Sequence, residues 1–236
     1  MTTHADRPGE QGLEPLREQV HDALQEIKPR LRGWLHAAVA PLALVLGVVL
    51  VSLSPTMATR AGSAVFGACA FLQFSLSAVM HRGRWSPRTN TVLTRLDHAG
   101  IFVLIAGSYT PFSLLLLQGA SRWTLLWLVW GGAAAGIVFR TSWPAAPRWL
   151  STPVYVALGW AAIPFAGDLL RNGTGSVLCL LLGGGLLYTA GAVVYVLRRP
   201  DPLPGWFGFH EVFHCLTIAA FASHYAAVSI ATYALR

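Results

Sequence analysis

Negative charge is nearly missing from this 236-residue chain beyond its first 26 positions. Asp6, Glu10, Glu14, Glu18, Asp22 and Glu26 are six of the ten acidic residues, and only Asp97, Asp168, Asp201 and Glu211 serve the other 210 positions. Lysine occurs once, at Lys28. Charged residues of both signs amount to 11%, where an ordinary soluble domain carries about a quarter. A protein of this size with so few charges cannot dress its surface for water, and its 54% hydrophobic content points to an all-α integral membrane protein.

Cysteine is scarce too. Cys69, Cys179 and Cys215 stand singly inside apolar runs, which excludes a disulfide framework and a C-x-x-C metal site and suggests three small buried residues. The net charge of +7 would suit nucleic acid, but the arginines punctuate apolar runs instead of clustering on one soluble face, so no nucleic-acid partner is expected. The first thirty residues lack the apolar core of a secretory signal, so insertion is expected to depend on internal spans.

Long apolar runs are what the chain does have. Crossing the hydrocarbon core takes about 20 mostly apolar residues, and seven segments qualify: roughly 35–54, 62–81, 97–117, 122–140, 149–168, 175–197 and 208–232. Pro, Gly and Asn clusters separate them, and Trp34, Trp85, Trp149 and Trp206 fall at their ends as an aromatic belt would. A seven-helix membrane domain over 29–236 is therefore expected, preceded by a polar tail over 1–28. In that tail Leu13, Leu16, Val20, Leu24 and Ile27 recur at helical spacing, as in a short amphipathic helix resting on the membrane or the bundle. Lys28, Arg30, Arg32, Arg82, Arg84, Arg88, Arg95, Arg140, Arg148, Arg198 and Arg199 collect on one side, against Arg60, Arg122, Arg171 and Arg236 on the other. The positive-inside rule then puts the N-terminus in the cytoplasm and the C-terminus outside.

On that topology the ionisable residues converge at the cytoplasmic end. His81 closes the second span, Asp97 opens the third, and His210 and His214 open the seventh. Residues four apart share a helical face with about 6 Å of rise, so His210 and His214 can aim their rings at one ion, and Ser77 and His81 repeat the spacing. A catalytic zinc site takes three protein ligands and leaves a fourth position open. His81, His210 and His214 supply three, with Asp97 left to hold or deprotonate water. A His₃ set suits Zn²⁺ best but also accepts cobalt, nickel or iron.

The stretch HEVFH, residues 210–214, also matches the H-E-x-x-H of helix-borne metalloprotease sites, in which the glutamate is the general base. Glu211, however, lies off the line between the two histidines, where it could reach a water or instead face Arg198 or Arg199; Asp97 is a rival base. His98, about 100° around the helix from Asp97, is expected in a supporting or packing role, and His36 and His224 in structural hydrogen bonds. Ser108 and Pro111, deep in the third span, suit the shaping of a cavity.

SLSAVMH with Ser77 and His81, RLDHAGIFVLIAGSYTPF with Asp97, and FGFHEVFHCLTIAAFASHY with His210 and His214 form three ordered motifs. On them the chain resembles the hemolysin III branch of the progestin and adipoQ receptor family, from about Pro29 to Thr232. The resemblance implies zinc at His81, His210 and His214, Asp97 as the water-positioning or acid/base residue, and Ser77 close by. Adiponectin receptors, characterised members, are associated with ceramide hydrolysis, so it also implies a lipid amide substrate. One stretch departs from the pattern: bacterial members often carry E-x-x-N-x-x-x-H at the first span, whereas PRLRGWLH keeps only His36, with Pro29 and Arg32 in the other two places.

Two functions of different class follow. One is a zinc-dependent hydrolase of lipid amides or esters, in which Asp97 takes the proton of the attacking water. The other is a non-enzymatic sensor, regulator or cytolysin with structural zinc. Membrane lipids are the expected partners and a bacterial inner membrane the expected location, the latter from the Arg-, Ala- and Gly-heavy composition. An ion pathway would place polar groups at several depths, and this cluster is one-sided.

Overall fold

The computed structural model describes residues 29–203 and 205–235; the amphipathic helix expected within 1–28 lies outside them. Eight α-helices and one 3-10 turn follow in order: α1 Trp34–Ser52, α2 Met57–Arg82, α3 Pro87–Leu116, α4 Gly119–Ser142, α5 Arg148–Gly159, the turn Ile163–Phe165, α6 Ala166–Asn172, α7 Gly175–Leu197 and α8 Phe209–Tyr233. Taken together, α5, the turn and α6 make a single span, so the described residues supply seven spans long and apolar enough to cross a membrane. The protein is a multi-pass membrane protein.

Helix ends follow local chemistry. Thr56 and Thr59 cap α2 reciprocally, Ser86 caps α3 with Pro87 in its first turn, and Thr174 caps α7. These hydroxyls bond backbone N–H groups that a helix cannot satisfy within itself.

Two spans differ from the hydropathy reading. The third begins at Pro87, ten residues early, so Asp97 lies nearly three turns inside α3 instead of opening it. Its first ten residues, PRTNTVLTRL, are too polar to register as a membrane segment yet form good helix once Ser86 and Pro87 start it. The fifth span is broken between Gly159 and Ala166, where Pro164 removes a backbone donor. A neighbour takes up a freed carbonyl, the Tyr109 hydroxyl donating to that of Gly159, and the Trp160 indole ties the break to α7 by donating to Thr189 Oγ1 at 3.0 Å. Broken backbone is tolerated at membrane depth on this condition.

Phe66, Phe74, Phe102 and Phe112 fill the centre, all essentially inaccessible. Between lipid-embedded helices the hydrophobic effect gives little attraction, so close packing at small residues matters more. At the α1–α2 crossing a Cβ on Gly67 would lie 2.9 Å from the Gly47 Cα, which only glycine permits. Of the cysteines only Cys69 is buried. Cys179 and Cys215 face outward, a correction to their expected burial that costs nothing where the outer surface meets lipid instead of water.

Candidate metal centre

α2 ends, and α8 begins, at the same end of the bundle, and this brings together side chains 129 residues apart. His81 Nε2 and His210 Nε2 stand 3.1 Å apart, and the ring centroids of His210 and His214 are 4.4 Å apart. One nitrogen from each of His81, His210 and His214 falls within 4.8 Å of the others. Four-coordinate zinc with Zn–N near 2.0–2.1 Å holds its ligand nitrogens roughly 3.3 Å apart, so the spacing suits a common ion. His214 Nδ1 is buried and has no hydrogen-bond partner, which costs free energy unless something else satisfies it. The residues fit a metal.

Glu211 sits between the two α8 histidines and is fully buried. One of its carboxylate oxygens accepts from Arg32 Nε at 2.5 Å, the other from the Gly208 backbone N–H at 2.8 Å. Both oxygens are spent, one on an ion pair and one on starting α8. The partner is thus Arg32, not the expected Arg198 or Arg199. Asp201 Oδ1 accepts from the Phe209 N–H at 3.0 Å and holds the same turn. The glutamate of HEVFH builds the helix that carries the histidines.

Asp97 is buried beside Gln73 and Ser77, with Gln73 Nε2 donating to its Oδ1 at 3.4 Å. Gln73, Ser77 and His81 recur every fourth residue along one face of α2.

These groups line one end of a cavity of about 1090 Å³ that runs into the bundle among Ile101, Leu104, Ile105, Phe112, Leu125 and Leu181. It matches or exceeds the usual volume of a small-molecule pocket. Ile163 and Leu182, the former in the break of the fifth span, line it and are 59% and 44% exposed.

The haemolysin-III-related family model matches residues 24–225. The chain belongs to this family. Hemolysin-3 of Bacillus cereus is 33% identical over 175 residues, covering 74% of this chain and 80% of that protein. The hemolysin-3 homolog of Bacillus subtilis is 37% identical over 135 residues, 57% of this chain and 63% of its own length. A heptahelical transmembrane protein of Oryza sativa subsp. japonica is 30% identical over 160 residues, 61% of this chain and 70% of that protein.

In this haemolysin-III-related chain the remaining histidines divide clearly. His36 was expected to hydrogen-bond, but both of its ring nitrogens are buried without a partner; instead it stacks on His214, centroids 3.8 Å apart and planes 13° from parallel. Its ring backs a member of the cluster. His98 directs Nδ1 at the Thr94 carbonyl, 2.7 Å away, while also lining the cavity. His224 bonds the Leu181 carbonyl through Nε2 at 3.3 Å, the hydrogen bond expected of it. Ser108 bonds the Leu104 carbonyl and lines the cavity. Sequence reasoning missed Gln73 and the pairing of Arg32. A glutamine at the i, i+4, i+8 spacing with Ser77 and His81 was the available signal for Gln73.

Proposed function

We propose that the protein is a zinc-dependent hydrolase of lipid amides or esters in a bacterial plasma membrane, its metal centre facing the cytoplasm. The observation that carries this reading is the placement of His81, His210, His214 and Asp97 on the wall of a largely apolar cavity inside a bundle of seven membrane-length helices. Orientation is supported by the arginines, ten of which (Arg30, Arg32, Arg82, Arg84, Arg88, Arg95, Arg140, Arg148, Arg198 and Arg199) cluster at the helix ends and loops of the histidine side.

His81, His210 and His214 would hold the ion. Zinc bound there would act as a Lewis acid toward the carbonyl and would lower the pKa of water. Asp97 accepts the proton of the attacking water and returns it to the leaving nitrogen or oxygen. Gln73 and Ser77 orient its carboxylate. The apolar walls hold the acyl chain and exclude bulk water.

The test combines elemental analysis of detergent-purified protein with hydrolysis of acyl amides and esters in mixed micelles. Zinc near one per chain, with turnover that falls roughly 10²–10⁴-fold in Asp97→Asn at unchanged metal content, is the expected result. Metal-loaded protein that cleaves no acyl amide or ester would overturn the enzymatic reading. The hemolysin name of the two Bacillus relatives supports a second one, a cytolysin whose metal is structural. Dye release from liposomes by the purified chain, undiminished in Asp97→Asn, would favour it.

A further inference from the structure

Far from the metal centre the cavity has a second polar spot that nothing in the proposed hydrolysis uses. His224 lies ten residues beyond His214 and fourteen beyond His210 on α8, about 15 and 21 Å further along the axis. Fourteen residues are close to four whole turns, so His224 falls nearly in line below His210. Tyr188 of α7 meets it there, ring centroids 5.6 Å apart, and both side chains line the cavity. Gly184 makes the room: a Cβ at that position would come within 2.4 Å of the His224 ring.

Both side chains carry a buried polar atom with no partner, the hydroxyl oxygen of Tyr188 and Nδ1 of His224. His224 Nε2 faces the Leu181 carbonyl at 3.3 Å, so Nε2 carries the ring proton and Nδ1 is left as an acceptor. The Tyr188 hydroxyl is left as a donor. An unpaired donor and an unpaired acceptor on two neighbouring rings are each costly in apolar surroundings. A hydroxyl group, which both donates and accepts, offers what each of them lacks, and a hydrocarbon chain offers neither.

We propose that Tyr188 and His224 form a specificity subsite for a hydroxyl group in the middle of an acyl chain whose head lies at the three histidines. This rests on the lipid reading of the cavity, and it narrows the substrate class to mid-chain hydroxylated acyl groups.

Oleate and ricinoleate, the same chain without and with a mid-chain hydroxyl, separate this proposal from the hydrolysis itself because neither can be cleaved. Their dissociation constants are measured by titration calorimetry on the full zinc-loaded chain in one detergent, for the wild type, Tyr188→Phe and His224→Phe. Tyr188→Phe removes only an oxygen that has no partner among the described residues, so their bonds are all kept. The preference for ricinoleate should be roughly tenfold greater in the wild type than in Tyr188→Phe, the effect of one or two net hydrogen bonds, and should fall in His224→Phe as well. Micelle partitioning is common to all three and cancels in the ratio. An equal preference in wild type and Tyr188→Phe, or no binding of either chain, would overturn the subsite. A preference without turnover of any lipid amide or ester would keep the subsite and remove the hydrolase.

Discussion

At the scale of single residues, the histidines and Glu211 make opposite predictions when replaced. His81→Ala or His210→Ala should abolish the metal content measured by elemental analysis, whereas His36→Phe should keep it, because His36 contributes a stacked ring and lies outside the cluster of ligand nitrogens. Glu211→Ala should keep the metal at low temperature but cost about 3 kcal/mol of stability, read as a lowered thermal midpoint in detergent. That figure is the lower end for stranding one member of a buried ion pair, since the Arg32 side chain retains 19% exposure. A folded, metal-loaded Glu211→Ala that has lost turnover would instead make Glu211 the base. The grouping of His81, His210 and His214 was legible because ionisable groups inside apolar runs are rare and two of them share a helical repeat, whereas the depth of Asp97 within α3 was not. The use of Glu211 was not: Arg32, Arg198 and Arg199 all border α8 in the sequence-derived topology, and only the packed chain selects Arg32.

At the scale of elements, hydropathy finds the seven spans but not their ends. The polar first ten residues of α3 remain helical because a capping hydroxyl and a proline start them, and no apolar run is required for that. The break in the fifth span sits inside an apolar run, where Gly159 and Pro164 are the visible signals, while the hydroxyl that takes up the Gly159 carbonyl, Tyr109, and the anchor of the Trp160 indole, Thr189, come from other helices. The α1–α2 crossing makes the sharpest prediction. Gly67→Val would push branched carbons into the Gly47 backbone, so the two helices must separate. Folded, monodisperse protein recovered in detergent should drop severalfold, while Val at Gly131, where a Cβ meets nothing within 4 Å, should be recovered like wild type.

For the whole molecule, the arginine bias predicts which way the bundle lies in the membrane. A phosphatase reporter that folds only outside the cytoplasm should be active when fused after Leu235 and inactive when fused after Gly83. The opposite result would place the histidines outside and invert the proposed orientation. Ile163 and Leu182 line the cavity and are partly exposed, and a lateral route past them would bear on how such a protein is supplied. A ligand that arrives sideways is drawn from a two-dimensional solution, so its effective concentration is its mole fraction among the surrounding lipids. Diluting a substrate with inert phospholipid at a fixed bulk concentration would slow turnover, and adding water to the same vesicles would leave it unchanged.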